Sequence, residues 1–152
     1  MKSRQRPSLR PKARPTSATQ HQLTTQEARR IALMVAEAGL DKKANDVQII
    51  DVSGKVDYAD FLVLMSGQSD RHVAALAQSV EGELKLKGVR AVSVEGLPKA
   101  QWVLVDFVDV VVHIFLESVR SLYDLDGLWI DAKRVAVPPS DGTPGGAGGQ
   151  SS

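Results

Sequence analysis

The stretch FLVLMSGQSDRHVAALAQSVEGELKLKGVRAVSV, residues 61–94, decides the fold class. It opens on five consecutive apolar residues, Phe61–Met65, which suit a strand covered on both faces and so central in a sheet. Ser66-Gly67-Gln68-Ser69 breaks the run, and Ser69 is placed to cap a helix from Asp70 to about Lys87. Val73, Leu76, Ala77, Val80 and Leu84 recur at helical spacing and form its inward stripe. Gly88 ends the helix, and Val89–Val94 returns to strand character. A strand–helix–strand unit implies two strands running parallel, joined by a right-handed crossover.

Toward the N-terminus, Val47–Val52 is rich in β-branched residues and reads as a strand, followed by the turn Ser53-Gly54-Lys55. Thr24-Thr25-Gln26-Glu27 has the pattern of a capping box, with Thr24 capping a helix from about Thr25 to Leu40. Ala28, Ile31, Ala32, Val35 and Ala38 fall on one of its faces, and Gly39 is its expected stop. Toward the C-terminus, Trp102–Phe107 and Val110–Phe115 read as strands whose short link through Val108 and Asp109 makes an antiparallel hairpin. Glu117–Tyr123 is helical in character, with Leu122, Leu125, Leu128 and Trp129 as the expected apolar anchors of the C-terminal edge. The sum is an α/β (α+β layered) domain, a mixed sheet of about five strands flanked by helices.

Composition narrows the chemistry. The chain has no cysteine, which excludes disulfides, a thiol nucleophile and any Cys-based metal site. Its three histidines, His21, His72 and His113, are too scattered for metal-ligand spacing. No apolar run approaches the roughly 20 residues of a membrane span, and no secretory signal pattern is present, so a cytoplasmic location is expected. Six of the seven prolines lie in residues 1–22 and 138–152, which are expected to be disordered tails around a domain at 23–137. The first tail carries six bases and no acid, whereas the domain has thirteen bases and seventeen acids, a net charge of −4. A domain that gripped RNA directly would have the opposite balance, and an acidic one suits a basic protein partner.

Three segments, DKKANDVQIIDV (41–52), YADFLVLMSGQSDRH (58–72) and WVLVDFVDVVVHIFLESVRSLYDLDGLWIDA (102–132), in this order and spacing resemble the ribosomal silencing factor, or Iojap-like, family. The resemblance covers roughly residues 24–134. It implies a nucleotidyltransferase-like topology without the catalytic machinery. It further implies a translational repressor, with no enzymatic activity and no cofactor. Such a protein binds the large ribosomal subunit through ribosomal protein L14 and sterically blocks association with the small subunit when nutrients are short. It also allows a homodimer through the same surface. Two positions depart from the family pattern: Val108 stands in the last hairpin turn where Gly is usual, and Asp126-Gly127 precedes the Leu-Trp pair where longer residues are common.

The contact set expected on this reading is Tyr58, Asp60, Trp102, Asp106 and Asp109, with Tyr123 and Trp129 as further members. Each also has a structural reading. Trp102 suits either a half-buried strand end or an interface anchor. Asp106 and Asp109 suit turn chemistry or pairing with partner bases. Trp129 suits core or edge packing, and Tyr123 suits packing between helix and sheet. His113 suits a hydrogen-bonded structural role, and Glu117, Arg120, Asp124 and Asp126 read as a solvated helix face with local pairs. Residues 1–22 would add sequence-independent contacts to ribosomal RNA.

A rival reading is a metal-dependent nucleotidyltransferase, with Ser66–Ser69 cradling phosphates and Asp106 and Asp109 holding magnesium. Two carboxylates sharing a strand face should stand two residues apart, and these stand three apart across a turn.

Overall fold

The computed structural model describes residues 18–137. Residues 1–17 of the expected N-terminal tail, and all of the expected tail at 138–152, lie outside the described residues. The elements are α1 (Ala18–Asp41), β1 (Asn45–Asp51), β2 (Phe61–Gly67), α2 (Asp70–Leu86), β3 (Ser93–Glu95), β4 (Trp102–Asp106), β5 (Val110–Leu116), α3 (Glu117–Tyr123), α4 (Leu125–Leu128) and β6 (Lys133–Val135). They form a six-stranded sheet in the order β3-β4-β5-β2-β1-β6. The β2–β5 pair is parallel, and every other pair is antiparallel.

The expected mixed sheet and flanking helices are present, with one strand more than anticipated. The extra strand, β6, has only three residues, Lys-Arg-Val, too few to carry an alternation that periodicity can detect. The strand expected at Val89–Val94 is reduced to Ser93–Glu95, because the Val89 N–H is engaged by the Leu84 carbonyl (2.8 Å) at the end of α2. Chaining the pair directions shows that β2 and β3 run in the same sense, as expected. They are not neighbours, because the β4–β5 hairpin lies between them, and the parallel partner of β2 is β5.

The start of α1 also differs. Thr24 was expected to cap the helix but lies inside it, since the preceding ATQHQL contains no glycine or proline and the helix begins at Ala18. Gly39 does not stop it either. A Cβ there would sit 2.6 Å from Met65 Sδ, so this glycine permits close packing of α1 on β2, and the helix runs on to Asp41. The other helix behaves as expected: Ser69 caps α2 by accepting from the His72 N–H, and its buried residues are Val73, Leu76, Ala77, Val80 and Leu84.

Every residue of β2 is buried, and its alternate side chains feed two cores. Phe61, Val63 and Met65 join Val103, Val105, Val110, Val112 and Ile114 beneath α1 and α2. Leu62 and Leu64 face the other way, with Ile50, Val52, Val111 and Phe115, and there the cover is thinner: Val119, Leu125 and Trp129 from the α3–α4 segment. Leu122 and Leu128, expected as anchors of that segment, are 76% and 64% exposed. The short, separate turns of α3 and α4 point them outward, and Leu125 and Trp129 alone of the four pack on the sheet.

The β4–β5 turn keeps a tight geometry despite Val108. The Asp109 N–H donates to the Phe107 carbonyl (3.1 Å), the Phe107 N–H donates to Val110 (2.9 Å), and Val108 sits at φ 79°. This is a three-residue γ-turn in its strained, positive-φ form, adopted by a β-branched residue. Val108→Gly is therefore expected to raise the unfolding free energy by about 1 kcal/mol and the melting temperature by roughly 3–6 °C. A lower melting temperature in a thermal scan would show that the packing of Val108 outweighs its strain.

Candidate functional site

On the thinner side of the sheet, α3 packs against β5 and β2, leaving the β3–β4 side partly open. Strand alternation puts Trp102, Leu104 and Asp106 on this face, each half-buried, while Val103 and Val105 between them are fully buried on the other. Leu104 pairs with Glu95 on β3 and with His113 on β5, so Glu95, Leu104 and His113 form a row across the open part. Glu95 is exposed, and His113 is half-buried.

Trp102 lies at one end of this stripe, in register with Phe115. Its ring stands 5.0 Å from Phe115, 4.8 Å from Tyr123 and 6.0 Å from His113, centroid to centroid. Its Nε1–H donates to His113 Nδ1 at 3.0 Å. Tyr123, at the end of α3, is 55% exposed and extends the aromatic cluster into solvent. Burial pushes the His113 imidazole down to a pKa of about 4, so it is neutral at pH 7.

Asp106 lies at the other end of the stripe, roughly 13 Å along β4. Its Oδ1 accepts from the Val108 N–H (2.7 Å), so it shapes the turn, as its structural reading expected, and still lies on the open face. Past that turn, the exposed Asp109 accepts at its carbonyl from the Asp60 and Phe61 N–H groups (2.8 and 3.2 Å). Those bonds fasten the 57–60 loop, with the 58% exposed Tyr58, to the same end of the sheet. The seven expected contact residues thus divide. Trp102, Tyr123 and Asp106 share one face, and Tyr58, Asp60 and Asp109 gather at its turn end. Trp129 lies apart on the β6 side, packed on the core with its carbonyl accepting from Arg134 (2.8 Å). His113 has the hydrogen bond that its structural reading expected, whereas Glu95 and Leu104 had no signal in the sequence, because which face of a short strand stays open depends on what covers it.

Arg120 corrects the solvated-face reading of α3. It is 6% exposed. Its guanidinium makes a two-point contact with Asp126 (3.0 and 2.9 Å) and donates to the Asp46 carbonyl (2.7 Å) and to Ser66 Oγ (2.9 Å). It therefore clamps α3 and α4 to β1 and β2. The sequence did hold a clue: Ser66 ends a wholly apolar strand, and a buried hydroxyl needs a partner. Gly127 fits the same joint. Its N–H donates to Asp124 Oδ1 (3.1 Å), and a Cβ there would meet Asp124 Oδ2 at 2.3 Å.

The Arg120 hydrogen bonds and charge hold the Asp126 carboxyl below its ordinary value, against the opposing effect of burial. A depressed folded-state pKa stabilises the protein above the unfolded carboxylate pKa of roughly 3.9, and that stabilisation is lost as pH falls through the folded value. Thermal melts from pH 7 to pH 2.5 should therefore show wild type losing more stability below about pH 4 than Asp126→Asn. Parallel curves would remove Asp126 from the acid transition.

The rival nucleotidyltransferase site is not assembled. Ser66–Ser69 follows the end of β2 that pairs with Leu116, whereas Asp106 lies level with Val111 at the opposite end, roughly 17–20 Å away along the strands. The loop's polar groups are engaged within the chain: Ser66 by Arg120, Ser69 by the His72 N–H, and the Gln68 N–H by His72 Nδ1 (3.1 Å). A Cβ on Gly67 would lie 2.9 Å from Val73, so this glycine serves helix packing. Among the described residues, no group of three or more His, Asp or Glu side chains is placed to hold a metal ion, and no helix is long and apolar enough to cross a membrane.

A family model described as "Ribosomal silencing factor during starvation" matches residues 25–148. The chain belongs to the ribosomal silencing factor family. A Bacillus subtilis protein named ribosomal silencing factor RsfS is 39% identical over 102 residues, which are 67% of this chain and 86% of that one. A mouse protein named mitochondrial assembly of ribosomal large subunit protein 1 is 33% identical over 91 residues, 58% of this chain and 40% of that one. A crystal structure from Chromobacterium violaceum superposes with a TM-score of 0.64 at 36% identity, covering 80% of this chain and 98% of that one. The fold, the segments at 41–52, 58–72 and 102–132 and these relatives agree on one family, whose role is ribosome silencing. Val108, which departs from the family pattern, is accommodated at φ 79° in a β4–β5 hairpin paired from Trp102–Phe115 to Asp106–Val111.

Proposed function

We propose that this chain represses translation by docking on the large ribosomal subunit and filling space that the small subunit needs. The observation that carries the reading is the half-open face, which holds the Trp102–Tyr123 aromatic cluster at one end and Glu95 and Asp106 further along it. Aromatic anchors that share a face with acids forming no salt bridge among the described residues suit a basic protein surface, and a domain of net charge −4 is attracted to one over longer range. Ribosomal protein L14 is the partner proposed, through an interface of about 1,200–2,000 Å². Tyr58, Asp60 and Asp109 form the rim of this contact, and Trp129 supports it from the core. Steric exclusion makes and breaks no bond, so the mechanism needs no cofactor. Residues 1–22, with six bases and no acid, add salt-sensitive contact with ribosomal RNA.

The deciding experiment mixes purified large and small subunits and follows joining by light scattering, with and without the full chain. Stoichiometric addition should suppress the joined ribosome. Unchanged joining at saturating protein would rule the mechanism out.

A further inference from the structure

The Trp102–His113 pair holds a feature that the docking reading leaves unused. Because Trp102 Nε1–H donates to His113 Nδ1 (3.0 Å), that nitrogen must carry a lone pair. A neutral imidazole with a free lone pair on Nδ1 carries its proton on Nε2. Nε2 has no partner among the described residues, and it is not sealed from solvent: Thr25 Oγ1 is the one buried side-chain polar atom left unpartnered there. The indole thus fixes the tautomer and leaves a single oriented N–H at the open face.

The neighbours decide what that N–H would meet. Leu104, beside His113 in the row, offers no hydrogen bond. Beyond it stand the carboxylates of Glu95, opposite Leu104, and Asp106, two residues along the same face. A partner carboxylate would be repelled here, whereas a neutral main-chain carbonyl would not. We propose that His113 is a specificity-determining residue of the docking face, whose Nε2–H donates to a main-chain carbonyl of the ribosomal protein that docks there. This rests on the docking reading above. It adds a requirement that charge alone does not supply: the partner presents a carbonyl between its basic side chains.

The test uses full-length variants and purified large ribosomal subunits, with affinity measured by co-sedimentation. The indole N–H resonance of Trp102 is followed by NMR, with Trp129 as the internal reference. His113→Gln can accept from the indole and also donate, and should bind within about threefold of wild type. His113→Glu can accept but not donate. It should keep the indole resonance and bind about tenfold more weakly, although its added charge favours a basic partner. Wild-type affinity in His113→Glu with the resonance in place would overturn the proposal. If that variant fails to fold, His113→Gln and His113→Leu decide, and equal affinities overturn it. Trp102→Ala separates the two levels: undiminished binding there removes this face from docking and overturns the proposal with it, whereas weakened binding with a tight His113→Glu defeats only the donor role.

Discussion

Arg120→Ala is expected to lower the unfolding free energy by about 3–5 kcal/mol. The guanidinium is 6% exposed and joins four elements through Asp126, Asp46 and Ser66. Alanine removes those bonds together and leaves the Ser66 hydroxyl and the Asp46 carbonyl without their donor. Asp126, about a third exposed, can partly rehydrate, which moderates the loss. The measurement is urea denaturation followed by circular dichroism. The damage should be local in character, because the core beneath α1 and α2 has no part in the clamp. A loss below about 1 kcal/mol would mean that α3 and α4 are held chiefly by the apolar packing of Val119, Leu125 and Trp129.

Trp102→Ala is expected to weaken binding to the large subunit roughly thirtyfold, about 2 kcal/mol. Three ring contacts, to Phe115, Tyr123 and His113, orient the indole before any partner arrives. Such preorganisation means that docking need not freeze its rotamer, which is where much of an anchor's advantage arises. Because Trp102 also covers part of the second core, its removal will lower the melting temperature. Affinity must therefore be measured at a temperature where the variant is fully folded. Asp106→Lys provides the electrostatic counterpart: it reverses the charge at that end of the stripe and also removes the acceptor of the Val108 N–H, so its fold is checked first. Full blocking of subunit joining by both variants would leave the function standing and remove this face from it.

The sequence was most legible where one physical rule governed. Phe61–Met65 could only be a doubly covered strand, and the stripe from Val73 to Leu84 could only be a helix face, and both stand as read. It was least legible where tertiary contact overrides local preference. Thr24 through Glu27 has the letters of a cap, yet a helix-compatible stretch precedes it. Lys133–Val135 becomes a strand because the edge of β1 is free to pair, with Ile49 opposite Val135. Arg120 looks like a surface base until a serine 54 positions earlier is found beneath it. The candidate site followed the same division. Trp102, Tyr123 and Asp106 were legible as residue types suited to contact, but their convergence on one face depends on which strands α3 leaves uncovered.

The parallel pairing of β2 with β5 has a consequence for the order in which this protein can be built. Phe61 meets Val110, so one edge of the wholly buried strand β2 waits for a partner that is synthesised only after α2, β3 and β4. Contacts of that sequence separation form late and slow folding. Until β5 arrives, α1, β1, β2 and α2 can assemble locally, but FLVLM keeps one bare edge, the kind of surface on which nascent chains aggregate. The aromatic cluster of the proposed docking face lies on the late side of that boundary, since Trp102, His113 and Tyr123 all belong to segments added afterwards. On the proposed docking reading, a nascent chain therefore lacks its aromatic anchors until its last third is made, which separates its birth on the ribosome from its action against it.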